Sequence, residues 1–240
     1  MKPTISVIIP LYKQSEFIDE CIDSVLSQSF EDYEIILVTD AGGEEDEEAA
    51  DRQTKKDKRI SVVHHAKNMG LPATRNTAII LAKGKFILPL DADDKIAPKC
   101  LEEMLREIKL HPEKIIYCNY IEFGDKNRHI TMPDYCFETL EKFNQMVCCS
   151  MFSRKMWVEI GGYDEALKGM EDWNFWMKAG YAGYYGFRVN EFLFYYRIKE
   201  HSMMSETIEN WEEHFKDVIK SYSNFKEKYG DPRAPRQEYS

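Results

Sequence analysis

Apolar and polar positions switch between two periods along this chain. Ser6-Val7-Ile8-Ile9 is a short continuous apolar run, the pattern of a buried strand, and Pro10-Leu11-Tyr12 stops it. Ser15 then offers an N-cap, and Ile18, Cys21, Ile22, Val25 and Leu26 make the i, i+3, i+4, i+7, i+8 stripe of a helix packed on a sheet. Glu34 to Thr39 predicts a second strand that ends at Asp40-Ala41-Gly42-Gly43. The acidic run Glu44 to Glu48 opens a solvated helix, its carboxylates suited to the positive end of the helix dipole. Ile60 to His64 predicts a third strand and Ala73 to Leu81 another helix. Phe86 to Leu90, bounded by Gly84 and by charge, reads as a buried strand of about five residues.

Strand and helix in alternation predict an α/β fold with a mostly parallel, Rossmann-like central sheet flanked by helices. Ligands of such sheets sit beyond the carboxyl ends of the strands, where Tyr12, Asp40 and the Asp91–Asp93 pair fall. In the second half, Pro98 opens a helix with Leu101, Met104, Leu105 and Ile108 on one face, and His111-Pro112 ends it. Ile115 to Tyr120 and Phe192 to Tyr196 read as strands, whereas residues 121–145 show no usable period. Trp211, Phe215, Val218, Ile219 and Tyr222 continue a helical stripe. Its mixed-charge polar face predicts packing on the body, ahead of dimerisation or a membrane surface. The tail from Gly230 is expected to fray.

Composition narrows the class. The chain has 240 residues, 43% hydrophobic and 31% charged, enough for one domain with a substantial core. A net charge of -10 argues against nucleic acid as a partner. No apolar run approaches the ~20 residues that span a bilayer, and Met1 to Ile5 runs into the first strand with no signal peptide ahead of it. The six cysteines form no C-x-x-C, so reduced, mostly buried thiols and a cytoplasmic protein are expected.

Chemistry concentrates in Asp91-Ala92-Asp93-Asp94. Side chains two apart on an extended chain share a face, so Asp91 and Asp93 repel unless a positive charge sits between them. Oxygen ligands with no adjacent His or Cys suit a hard cation, Mg, Mn or Ca rather than Zn. An EF-hand loop is excluded, because Lys95 takes a ligand position and Ile96 the place of the glycine. Neither G-x-G-x-x-G nor a P-loop motif is present.

Ser6 to Pro10, Ser24 to Phe30, Tyr33 to Gly42, the loop Lys67-Asn68-Met69-Gly70-Leu71-Pro72-Ala73-Thr74-Arg75-Asn76 and Asp91 to Asp94 together resemble family 2 glycosyltransferases, which have the GT-A fold. Gly161-Gly162-Tyr163-Asp164-Glu165 and Glu171-Asp172 are similar to that family's G-G-F-D-E and E-D motifs, and the likeness runs to about residue 205. It implies a domain over 1–205, with a nucleotide-sugar-binding half (1–95) and an acceptor-binding, catalytic half (96–205), then a C-terminal helix and tail (206–240). It implies an inverting, metal-dependent transfer from a nucleotide-diphosphate sugar, a UDP-sugar first among them. The acceptor would be a glycan or lipid-linked hydroxyl in surface polysaccharide synthesis, reached at the inner membrane face. Pro10 and Tyr12 would line the base and ribose pocket, and Asp40 would accept from the base. Arg75, with Lys67 as helper, would face the diphosphate. Asp91 would lie near the ribose, and Asp93, helped by Asp91 or Asp94, would hold Mn or Mg.

Asp172 would be the catalytic base, with Glu171 and Trp173 at the acceptor. Its place at a helix start favours the carboxylate by ~0.3–1 kcal/mol, and apolar cover from Trp173 and Trp176 opposes this. The sequence leaves that balance open. Two departures stand out: Thr39 replaces the first of the family's two acids after the second strand, and Lys199 stands where its His is common, with His201 two places on. A catalytically silent sugar-nucleotide-binding subunit remains the alternative; it would keep Asp40 and Asp93 and not need Asp172.

Overall fold

A computed structural model describes residues 2–199 and 210–229. The first sheet is built from β1 (Ile5–Leu11), β2 (Tyr33–Thr39), β3 (Ile60–His64), β4 (Phe86–Pro89) and β8 (Phe152–Ser153) in the order β3-β2-β1-β4-β8. Its first four strands are parallel, as the alternating pattern predicts, and β8 joins β4 antiparallel.

All seven residues of β1 are buried, because both sheet faces are covered. Ile5, Val7, Ile9 and Leu11 point into one core with Ile18, Cys21, Ile22 and Val25 of α1 (Ile18–Leu26). Ile8, pointing the other way, meets Ala78 and Ile79 of α3 (Leu71–Leu81) and Trp173 and Trp176 of α7 (Glu171–Tyr181). Gly84 is required where β4 begins, since a Cβ there would lie 2.6 Å from the Ser6 nitrogen.

A second sheet, β5-β9-β6-β7, is formed by β5 (Lys95–Ile96), β6 (Lys114–Gly124), β7 (Arg128–Ile130) and β9 (Tyr185–Ile198). Its long β6–β9 pairing carries the chain end of β9 back to the Asp91–Asp94 turn. Helix α4 (Cys100–Leu110) packs on β6 and β9, while α5 (Phe137–Leu140) and α6 (Arg154–Ile160) pack on α7. The stretch 121–145, aperiodic in sequence, is the end of β6, a hairpin to β7 and the short α5. The C-terminal helix Trp211–Tyr229 packs on α7, Val218 and Tyr222 joining its core, in line with the packing expectation.

Ser15 is not the cap of α1. The helix starts at Ile18 with no side-chain cap, after a turn in which the Phe17 N–H donates to the Gln14 carbonyl; the Lys13 and Gln14 N–H groups go to Asp46 of α2 (Glu44–Thr54). The six cysteines are free thiols, four of them buried. Among the described residues no helix is long and apolar enough to cross a membrane. His201 and the tail from Gly230 lie outside the described residues.

Candidate active site

A cleft of about 620 Å3 opens beyond the carboxyl ends of β1, β2 and β4, lined by Pro10, Tyr12, Asp40, Asp91, Asp93 and Lys199 among others. Tyr12 is 43% exposed, so it faces the cleft rather than the core. Lys67 is exposed and does not line the cleft, where its neighbours Asn68 and Met69 do.

Asp40 is buried, and its carboxylate accepts the N–H groups of Met69 and Gly70 and the His65 Nδ1 atom, each at 2.8 Å. It therefore organises the 65–70 loop as well as bordering the cleft. Thr39, in the place of an acid, bonds His64 Nδ1 at 2.9 Å.

Arg75 is the hub of the site. At 1% exposed, it donates through Nη2 to Asp91 Oδ1 at 2.7 Å and through Nη1 to Glu171 Oε1. Burial would lower its pKa, but Asp91 and Glu171 outweigh burial and hold the guanidinium charged. The expected diphosphate-facing arginine is thus a rivet between two carboxylates, one from each half of the chain, and Glu171 has its charge committed to it.

Asp91, Asp93 and Asp94 differ in environment. Asp91 Oδ2 accepts from the Cys148 thiol at 3.4 Å. Asp93 Oδ2 lies 2.6 Å from Lys199 Nζ. Asp94 is buried, with Oδ1 accepting the Arg197 N–H at 2.8 Å and Oδ2 lacking a partner among the described residues. Burial, then Asp93 and Asp91, push the Asp94 carboxyl well up. Ligand atoms of Asp91, Asp94 and Cys148 lie within 4.8 Å of one another, a group that does not take in Asp93, the expected chief ligand, whose Oδ2 is paired with Lys199. Burial keeps the Cys148 thiol protonated, leaving a carboxylate set whose orphaned oxygen and crowded charge fit a hard divalent cation.

A second cavity of about 480 Å3 adjoins the cleft, and Leu71, Asp91, Glu171 and Tyr196 line both. Asp172 lies on it. The Asn144 amide donates to Asp172 Oδ2 at 3.0 Å, and the Trp173 N–H to Oδ1 at 2.7 Å. Burial first, then neighbouring Glu171, raise the Asp172 pKa to about 7, with Arg75 opposing. Apolar cover wins over the helix terminus.

Trp173 is 2% exposed, its Nε1 donates to the Leu140 carbonyl at 2.6 Å, and its ring stacks with Trp211 at 5.9 Å. The aromatic with open surface at this cavity is Trp211, 44% exposed, from the C-terminal helix. Asn144, Cys148, Tyr196 and Trp211 escaped the sequence reading. Asn144 sits in the aperiodic stretch, and the other three have no local motif to mark them.

Among the described residues, the non-glycine positions with left-handed φ are Lys13 (+53°), Ala41 (+55°) and Met170 (+56°). They follow Tyr12, follow Asp40 and precede Glu171. Such strain, ~1–2 kcal/mol per residue, persists where the surroundings fix a side chain for use.

Residues 6–161 match the family model of glycosyl transferase family 2. An uncharacterized glycosyltransferase of Methanocaldococcus jannaschii is 31% identical over 82% of this chain and 71% of that protein. The chain spans 36% to 48% of three other curated relatives. Among solved structures, S. aureus TarS 1–349 in complex with UDP-GlcNAc aligns at TM-score 0.77 and 20% identity, covering 94% of this chain and 66% of that one. The mannosyltransferase PcManGT from Pyrobaculum calidifontis, in complex with GDP-Man and Mn2+, aligns at 0.71 and 18%, covering 92% and 65%. At these identities the likeness is one of fold, the GT-A fold.

Proposed function

The chain belongs to glycosyl transferase family 2, and we propose that it transfers a sugar from a nucleoside-diphosphate donor, a UDP-sugar foremost, to a hydroxyl of a glycan or lipid-linked acceptor in surface polysaccharide synthesis. A lipid-linked acceptor would bring it to the inner face of the membrane. The observation that carries the reading is the shared wall: an acid-rimmed cleft at the strand ends adjoins a cavity holding a carboxyl with a pKa near 7. The UDP-GlcNAc and GDP-Man complexes of the two fold neighbours support the donor class.

Base and ribose would lie against Pro10 and Tyr12, and the diphosphate over Asp91 and Asp93. A divalent cation held by Asp93 with Asp91 and the unpartnered oxygen of Asp94 would supply positive charge to the departing diphosphate. Arg75 fixes Asp91 and Glu171 on the wall between the cavities, so the anomeric carbon passes from one to the other there. Asp172 takes the proton of the acceptor hydroxyl, whose oxygen bonds the anomeric carbon as the bond to the diphosphate oxygen breaks. The nucleoside diphosphate leaves with the electron pair. A base with pKa near the working pH is in the range where general-base catalysis is efficient. One base and one displacement give inversion, as in inverting glycosidases. The silent-subunit alternative gives no reason to hold Asp172 in this state.

Calorimetric titration of UDP with and without Mn2+, on wild type and Asp93→Ala, tests the donor site. Metal-dependent binding lost in Asp93→Ala is expected, and slow UDP-sugar hydrolysis suppressed in Asp172→Asn would follow. No binding of UDP, GDP or dTDP under either condition refutes the assignment.

A further inference from the structure

Lys199 holds the carboxylate on which the donor-site reading places the cation. Its Nζ lies 2.6 Å from Asp93 Oδ2, and the lysine side chain is 24% exposed at the edge of the cleft. The position is built rather than incidental. Two residues before it, Arg197 donates its N–H to Asp94 Oδ1 at 2.8 Å and its Nε–H to the Asp93 carbonyl at 2.7 Å, and its guanidinium pairs with Glu20. The Arg197 guanidinium also lies over the Phe17 and Phe123 rings, at 4.5 and 4.3 Å. The end of β9 is thereby pinned to the 91–94 turn, and Lys199 extends from a fixed root on a flexible four-carbon stem.

An ammonium on Asp93 Oδ2 repels a divalent cation on the same carboxylate and competes with it for that oxygen. We propose, resting on the donor-site reading, that Lys199 is a resident counter-ion that competes with the divalent cation for Asp93 and, once displaced, pairs with the donor diphosphate. The empty site then avoids an unpaired carboxylate, and the same ammonium meets the diphosphate without a separate recruitment step. A lysine suits two positions because it is a compact point charge with three freely rotating donors, whereas a planar, forked guanidinium is committed to one geometry.

The inference predicts opposite signs for two ligands. Lys199→Met should bind Mn2+ alone, followed by the loss of free-ion electron paramagnetic resonance signal, about twofold to fivefold more tightly than wild type, the range of one partly exposed ion pair. In EDTA the same variant should bind UDP more weakly by a similar factor. Lys199→Arg, which keeps the charge, should hold Mn2+ affinity near that of wild type and controls for folding. A general structural defect would weaken both ligands together. Mn2+ affinity unchanged or lowered in Lys199→Met, with UDP still bound, overturns the competition and leaves the donor site standing. Absence of UDP binding in wild type and Lys199→Arg, with and without Mn2+, refutes the donor site and this inference together.

Discussion

Asp172→Asn should cost activity and gain stability, with a gain that depends on pH. The Asp172 pKa is raised from 3.8 to about 7 in the folded chain. A carboxyl raised on folding leaves stability intact below its unfolded pKa and erodes it as pH climbs toward the folded value. Each unit of that climb is worth ~1.36 kcal/mol, so the penalty grows by ~3 kcal/mol between pH 5 and 7 and is constant above. Asp172 is half-buried, and solvent screening reduces the figure to ~1–3 kcal/mol. Asparagine carries no such charge. It loses one hydrogen bond, because its amide cannot accept from both Asn144 and the Trp173 N–H, at a cost of ~1 kcal/mol independent of pH. Urea unfolding of both proteins at pH 5 and pH 8 measures the difference. The variant should be the less favoured at pH 5 and overtake, or at least gain by ~1–3 kcal/mol, at pH 8 with unchanged m. A stability difference that stays constant across this range refutes the placement of the charge, whatever happens to turnover.

Two further variants probe the same site. Arg75→Ala leaves Asp91 and Glu171 facing each other in a buried pocket, and thermal or urea unfolding should register a loss of ~3–5 kcal/mol, where an exposed ion pair would give under 1. Asn144→Ala removes the amide that stabilises ionised Asp172, so the acidic limb of the pH profile for UDP-sugar hydrolysis should move to higher pH.

The first half of the fold was legible because its information is local. Continuous apolar runs such as Val7-Ile8-Ile9 and the stripe Ile18–Val25 state both the element and the buried face, and parallel order follows from their alternation. The rim of the cleft was legible for the same reason, since strand ends place Tyr12, Asp40 and Asp91 together. What the sequence withheld depends on distant pairing. Arg75 reads as a surface ion-pair residue or a phosphate ligand until Glu171, 96 positions away, is brought onto it. Asn144 sits in a stretch with no period because residues 121–145 serve a hairpin, a short helix and the wall of one cavity rather than one helix face. Ser15 was misread because a turn intervenes before the helix: the Phe17 N–H goes to the Gln14 carbonyl, and the turn is held from afar by Asp46, 32 positions from Gln14.

The adjacent acids Glu171 and Asp172 illustrate how a fold divides labour between like side chains. One residue apart at the start of α7, they share the helix terminus and the strained Met170 before them. Arg75 takes Glu171 and neutralises it in place, so it serves the wall between the cavities. Asp172 receives only an amide and a backbone N–H, faces the apolar cavity, and feels the charge of Glu171 beside it, which burial reinforces. A carboxyl raised by burial toward the working pH is the kind of group that serves acid–base chemistry in enzymes generally. On the proposed reading, the same arginine that engages Glu171 leaves Asp172 as the carboxyl placed to accept a proton near neutral pH, and links it to Asp91 in the adjoining cleft.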